Sequence, residues 1–322
     1  MTDDIRYMRR CIQLAKNGLM STAPNPMVGA VVVCNGRIIG EGYHVRCGEA
    51  HAEVHALASV RPEDEPLLSH STIYVSLEPC SHYGKTPPCA DLIIRKGIKR
   101  CVVGTIDPFS EVQGRGIQKL RDAGIEVIVG VCEDECRELN KRFFTYHQLH
   151  RPFITLKWAQ TSDGYISLPP SPSQRGGERL LISNSFTQML CHKRRAEHEA
   201  ILVGRRTWKL DQPRLDVRHW TGPNPRRYVL SHATGDIQTL LRTMWRDGIQ
   251  SLLVEGGCQT LQSFIDAELW DEAYVETSPR CLNTEGTPAP RLHHATLCDT
   301  AQYDLHRIDE WHHYLSAEKC LS

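Results

Sequence analysis

Apolar positions in the first half of the chain switch repeatedly between helical spacing and continuous β-branched runs. Ile5, Met8, Ile12 and Ala15 recur on one helical face behind Asp3 or Asp4, either of which can cap the helix, and Gly18 stops it. After the loop Ala23-Pro24-Asn25-Pro26, residues 28–33 and 38–43 are strand-like runs flanking Asn35-Gly36, the strongest short hairpin signal. Residues 51–60 return to helical spacing, and Thr72–Leu77 is a strand that ends on Glu78-Pro79-Cys80. Residues 89–96 predict a helix closed by Gly97, followed by a strand at 100–104, a helix at 116–123 and a strand at 126–131. Strands and helices alternating at these lengths predict an α/β sandwich around a sheet of about five strands.

The pattern changes near residue 148. Residues 147–152 are polar and break at Pro152, and a new strand starts at 153–157. Residues 168–177, LPPSPSQRGG, form a Pro/Ser/Gly-rich surface loop. A basic helix at 189–198, strands at 200–204 and 227–230, the strand Ser251–Val254 running into Glu255-Gly256-Gly257, a helix at 260–267 and a strand at 272–276 make this half α/β again. Two domains are expected, residues 1–147 and 148–322, without an internal repeat.

Bulk properties narrow the class. A length of 322 residues is natural for two domains, and 40% hydrophobic content supplies real cores. With 38 basic and 38 acidic residues there is no overall field to attract nucleic acid or an anionic membrane. No apolar run approaches the roughly 18 residues of a membrane span, and the charged opening MTDDIRYMRR lacks a signal-peptide core. Thirteen scattered cysteines are then most simply reduced thiols, and the expected location is the cytoplasm.

The segment 51–89 carries the chemistry. His51, Glu53, Cys80 and Cys89 stand in the order used by zinc-dependent nucleobase deaminases, whose signature is H-x-E followed by P-C-x-x-C. Here Pro79-Cys80 is intact, but eight residues separate the cysteines. One imidazole and two thiolates suit tetrahedral zinc and leave its fourth position for water. Glu53 is the candidate proton shuttle from that water to the departing amine. Residues two apart inside a helix point about 200° away from each other, so His51 must sit at or before the first turn to share a site with Glu53. The start of the following helices also favours thiolate at Cys80 and Cys89. Taken singly, each residue has a bland reading, as a core thiol, a buried His or a solvated Glu. The set does not.

These motifs resemble the bifunctional deaminase–reductase family of riboflavin biosynthesis. In the first half the resemblance runs through Asn25-Pro26-x-Val28-Gly29, Glu41-Gly42-Tyr43-His44, His51-Ala52-Glu53 and Leu77-Glu78-Pro79-Cys80-Ser81-His82-x-Gly84-Lys85-Thr86-Pro87-Pro88-Cys89. It implies a cytidine-deaminase-like three-layer α/β/α domain, with His51, Cys80 and Cys89 on zinc, Glu53 catalytic, and Asn25, His44, His82 and Lys85 lining a phosphoribosylated pyrimidine. An Asn amide offers a pyrimidine edge both donor and acceptor, and a Lys suits a phosphate. In the second half Lys157, Thr161-Ser162-Asp163-Gly164, Ser183, Arg195, Asp211-x-Pro213-x-Leu215-x-Val217-Arg218 and Glu255-Gly256-Gly257 fall in family order. They imply a dihydrofolate-reductase-like α/β domain that uses NADPH. Ser183, Arg195 and Arg218 would hold the ribose phosphate, Asp211 and Glu255 the ribose hydroxyls, and Gly256-Gly257 would let backbone approach the cofactor phosphates, with Lys157 and Leu215 completing the site. The resemblance also implies a homo-oligomer, dimer or tetramer.

The chain departs from the family pattern in two places. Asp107-Pro108-Phe109-Ser110 stands where the family has Asp-Pro-Asn-Pro, so Phe109 removes a polar contact. The stretch between Val229 and Leu252 is also shorter than in the family, while residues 168–177 are an insertion, which makes the second domain a shortened reductase. Two alternatives follow, a deaminase whose second half is a docking or dimerisation module, and a non-catalytic pyrimidine-nucleotide-binding regulator. Retention of Glu53 argues against the latter, because binding alone needs no proton shuttle.

Overall fold

A computed structural model describes residues 2–82, 87–109, 113–168, 180–231 and 234–314, and the chain divides into two compact units between Leu149 and His150. In the first unit α1 (Thr2–Ala15) leads through a short 3-10 turn to β1 (Gly29–Cys34) and β2 (Arg37–Tyr43). Then come α2 (Ala52–Ala58), a 3-10 segment (Pro62–His70), β3 (Thr72–Leu77), α3 (Cys89–Arg95), β4 (Arg100–Thr105), α4 (Arg115–Asp122) and β5 (Glu126–Val129). The helices α5 (Glu133–Leu139) and α6 (Lys141–Leu149) close the unit. Neither was expected. In α6 the buried apolar residues Phe143 and Phe144 are adjacent rather than spaced along a face.

The five strands form one sheet in the order β2-β1-β3-β4-β5, antiparallel on the β1 side and parallel from β3 to β5. Asn35 and Gly36 both take left-handed backbone, φ 51° and 76°, which is what a two-residue turn between twisted strands requires. All six residues of β1 are buried because both sheet faces are covered. Ala30 and Val32 face Ala52, Ala56, Ile93 and Leu120 of α2, α3 and α4. Val31 and Val33 face Met8 and Ile12 of α1 and Cys136 of α5. Alternation along one strand thus produces the three layers.

The second unit is built on β6 (Phe153–Gln160), β7 (Tyr165–Ser167), α7 (Ser185–Ala196), β8 (Ala200–Gly204), α8 (Arg205–Asp211), β9 (Arg226–Leu230), α9 (Ile237–Arg246), β10 (Ser251–Val254), α10 (Cys258–Asp266) and β11 (Glu272–Thr277). A two-residue β12 (Thr287–Pro288) and the long hairpin β13 (Ala295–Tyr303) and β14 (His306–His313) follow. Its main sheet has the order β13-β14-β11-β6-β10-β8-β9, parallel from β11 to β9 and antiparallel through β14 and β13. Leu156, Leu202, Leu252 and Val254 pack on one face with Met244 of α9 and Phe264 of α10. Ile201, Val203 and Leu253 take the other face with Leu215.

Three expectations change here. The basic helix begins at Ser185, not at 189, because the Asn184 side chain accepts the Thr187 N–H at 2.8 Å and caps it there. The short stretch between β9 and β10 accommodates all of α9, capped by Asp236. The hairpin β13–β14 was missed because β13 is mostly exposed and polar, so it lacks an apolar period. The predicted loop at 168–177 lies, apart from Leu168, outside the described residues.

Candidate functional site

His51 is the N-cap of α2, with extended backbone (φ −75°, ψ 167°), and Glu53 lies in that helix's first turn. The half-turn that would have separated them is thereby removed. Cys89 is the first residue of α3, and its N–H donates to Cys80 Sγ at 3.3 Å. His51 Nδ1 lies 3.5 Å from Cys80 Sγ and 3.4 Å from Cys89 Sγ. One donor atom from each of the three residues falls within 4.8 Å of the others. Hydrogen bonds from Cys89 and then His51 pull the Cys80 thiol well below its ordinary range against the effect of burial, while donating to Cys80 and burial hold the Cys89 thiol up. Two thiols and one imidazole converging on one point fit zinc with an open fourth position. Glu53 is only 3% exposed, and burial followed by the charge of Cys80 pushes its carboxyl up to about 7, where it can take and return a proton.

The surrounding groups hold this centre in place. His44 is 3% exposed and sits between the Ala50 carbonyl, 3.1 Å from Nδ1, and the Asn25 amide nitrogen, 3.1 Å from Nε2. An Nδ1–H tautomer satisfies both contacts and leaves the Asn25 carbonyl oxygen for a ligand. The His44 ring also stands edge-on to His51 at 5.5 Å, so His44 supports the site from behind. His82 is exposed beside Ser81, and Lys85 lies outside the described residues. Phe109 packs on the His147 ring of α6 at 5.3 Å.

Glu78 is the residue whose importance the motif did not disclose. Its carboxylate is 4% exposed and accepts the N–H groups of Asp107, Gly114, Gly116 and Ile117 at 3.3, 2.9, 2.9 and 3.3 Å. It thereby caps α4 and ties it to the Pro79-Cys80 corner. A side chain at Gly116 would stand 1.9 Å from the Pro79 carbonyl oxygen, so only glycine permits this approach.

In the second unit the carboxyl ends of the parallel strands, where α/β sheets bind ligands, carry a buried charge network. Arg195 Nε and Nη2 donate to the two Glu255 oxygens at 2.9 and 2.6 Å, and the Cys191 thiol adds a third contact at 3.3 Å. Burial alone would raise Glu255, but Arg195 and Lys157 outweigh it and hold the carboxyl below its ordinary range. Lys157 Nζ lies 3.9 Å from Glu276, which also accepts the Ser183 hydroxyl at 2.6 Å and lies 3.0 Å from His306 Nδ1. Lys157, Ser183, Arg195 and Glu255 are thus brought together. Asp211 ends α8 on the surface, and Arg218 pairs with Asp216, whose carbonyl accepts Arg195 Nη1 at 3.2 Å.

Leu215 is 2% exposed in the sheet core and has a left-handed φ of 51°. At Gly256 a side chain would meet Thr260 of α10 at 2.7 Å, so helix packing already explains that glycine, and Gly257 is the helix N-cap. Asp163 accepts the N–H groups of Leu282 and Asn283 and staples that loop. Glu276 and His306 escaped the sequence reading because neither belongs to a motif. Only the pairing of β11 with β14 puts them together.

The comparisons with known proteins agree with both halves. The model of the cytidine and deoxycytidylate deaminase zinc-binding region matches residues 1–105, and that of the RibD C-terminal domain matches residues 152–236. The riboflavin biosynthesis protein RibD of Aquifex aeolicus is 38% identical over 87% of this chain and 88% of its own. That of Bacillus amyloliquefaciens is 34% identical over 89% of this chain and 86% of its own. The crystal structure of a diaminohydroxyphosphoribosylaminopyrimidine deaminase/5-amino-6-(5-phosphoribosylamino)uracil reductase from Thermotoga maritima superposes with a TM-score of 0.86 at 34% identity, covering 97% of this chain and 99% of that one. Acinetobacter baumannii RibD superposes with a TM-score of 0.86 at 30% identity over the same shares. This chain belongs to the RibD family of riboflavin biosynthesis, enzymes that join a zinc-dependent deaminase domain to an NADPH-dependent reductase domain.

Proposed function

We propose that residues 1–147 deaminate 2,5-diamino-6-ribosylamino-4(3H)-pyrimidinone 5′-phosphate and that residues 148–322 then reduce its ribosyl group to ribityl with NADPH. The observation that carries the reading is the convergence of His51, Cys80 and Cys89 on one point beside the buried carboxyl of Glu53. Zinc, held by those three residues, supplies the Lewis acidity that makes water nucleophilic near neutral pH. Glu53 takes the water proton on its carboxylate and delivers it to the departing amine. Asn25, kept in place by His44, reads the pyrimidine edge, and His82 and Lys85 also bind the substrate, Lys85 by the charge it offers a phosphate.

In the second domain Arg195 and Lys157 balance the charges of buried Glu255 and Glu276. Hydride transfer from NADPH then needs mainly placement. Ser183, Arg195 and Arg218 bind the phosphate, Asp211 and Glu255 the sugar, and Leu215, Gly256 and Gly257 shape the cleft. The buried network of Lys157, Ser183, Arg195 and Glu255 supports a working reductase over a degraded docking module.

Exposed Trp208 and Leu210 on α8 and Leu297 and Leu305 on the β13–β14 hairpin support a homo-oligomer, a dimer or tetramer. Twelve free cysteines among the described residues, and no described helix long and apolar enough to cross a membrane, support the cytoplasm as the working place. Supplying the diaminopyrimidinone phosphate with and without NADPH tests the enzyme reading. The deaminated ribosyl compound should accumulate without NADPH and the ribityl compound should form with it. Deamination without any NADPH oxidation would leave the docking-module alternative standing.

A further inference from the structure

Two His-His pairs, His293-His294 and His312-His313, are far apart in the chain and belong to neither site described above. The C-terminal hairpin brings them to one corner of the second unit. Ala295 pairs with His313 and Thr296 with His312 across β13 and β14, and His312 pairs in turn with Glu272 at the start of β11. Neighbours on a strand face opposite sides, so His312 and His313 serve different faces of the sheet. On one face His312 Nε2 lies 3.1 Å from Glu310 and 3.6 Å from Glu272, an arrangement that an ion pair accounts for.

The other face differs. His313, 3% exposed, lies with His294 and Glu268, one donor atom of each within 4.8 Å of the others. His294 Nδ1 is 2.8 Å from Glu268 Oε1. Each residue is anchored separately. Glu268 closes the turn after α10 with its N–H on the Ile265 carbonyl at 3.0 Å, and the His294 carbonyl accepts the Tyr314 N–H at 2.8 Å. His313 sits in the last position of β14, its ring 4.9 Å from that of buried Trp270.

We propose that Glu268, His294 and His313 form a second metal site, for a late divalent transition ion such as nickel. Two imidazoles and one carboxylate are the donor set such ions prefer, and the geometry leaves further positions for water. Burial lowers the pKa of His313 and so keeps its ring in the neutral form that ligates. The side chains of His294 and Glu268 are 61% and 40% exposed, so an ion reaches them from solvent. A bound ion would clip the edge hairpin β13–β14 to the turn that follows α10. Glu276, in the candidate reductase network, lies toward the far end of β11 from this corner, so the site is not part of that network.

The test uses the full-length, tag-free protein carrying its own zinc, dialysed against nickel chloride, with zinc and nickel counted separately by elemental analysis. One nickel per chain should bind in the micromolar range without displacing zinc, and should raise the unfolding temperature. Glu268→Gln and His294→Ala, both at accessible positions, should weaken nickel at least about tenfold while the zinc count stays unchanged. Failure to bind nickel up to millimolar concentration would overturn the site. So would nickel binding to His294→Ala as tightly as to the parent. Neither readout depends on deamination or reduction.

Discussion

Cys89 turns both its backbone N–H and its thiol toward Cys80, so the two cysteines beside His51 are not equivalent, and Cys80 is the more acidic of the pair. Its loss should remove the metal. We expect about one zinc per chain in the parent protein and almost none in Cys80→Ser, by elemental analysis. Glu53 offers the complementary case, since it is buried beside the ligands without being one. Glu53→Gln should hold its zinc yet deaminate at least about 10²-fold more slowly, the lower range for a general acid–base group. In the second domain Glu255 and Arg195 keep only 11% and 12% of their side chains exposed. Glu255→Gln leaves Arg195 with an uncompensated buried charge and should cost about 3–5 kcal/mol.

The pH dependence of the same variant has a definite sign. Arg195 and Lys157 outweigh burial and hold Glu255 below its ordinary 4.5. A depressed carboxyl contributes stability that is present above the unfolded pKa and is lost as pH falls through the folded one. Urea midpoints taken from about pH 6 down to about pH 3 should therefore fall less steeply in Glu255→Gln than in the parent.

At the scale of the element, α4 shows how a motif residue acts at a distance. Glu78 gathers four N–H groups around the start of that helix and holds it against Pro79-Cys80. Glu78→Gln keeps the shape but loses the charge that four donors share, and should cost about 1–3 kcal/mol. Because the corner that carries Cys80 loosens with it, zinc should leave the variant faster under chelator challenge. Unchanged zinc release would limit Glu78 to a capping role. The hairpin β13–β14 teaches the converse. Its strands are polar on their exposed side, yet the row of backbone groups along β11 demands a partner, and edge pairing supplies it.

For the whole molecule, each unit has its own cores, built from both faces of its own sheet. A fragment of residues 1–149 should therefore fold, bind zinc and deaminate without NADPH. Circular dichroism and a deamination assay check this, and an unfolded fragment would show that the first unit depends on the rest of the chain.

What the amino-acid order determined by itself is mostly local. The spacing of His51, Glu53, Cys80 and Cys89, the Asn35-Gly36 turn and the buried β-branched runs were legible because ligand chemistry, left-handed turns and apolar period all act over a few residues. The requirement that His51 precede its helix followed from helix geometry alone, and His51 does cap α2. Tertiary structure alone decided the remainder. Glu276 meets His306 and Ser183, and His313 meets His294 and Glu268, only because strands distant in sequence pair in one register. Such pairings are set by which faces must be buried and which edges must be covered, and those constraints belong to the assembled sheet rather than to any short stretch of residues.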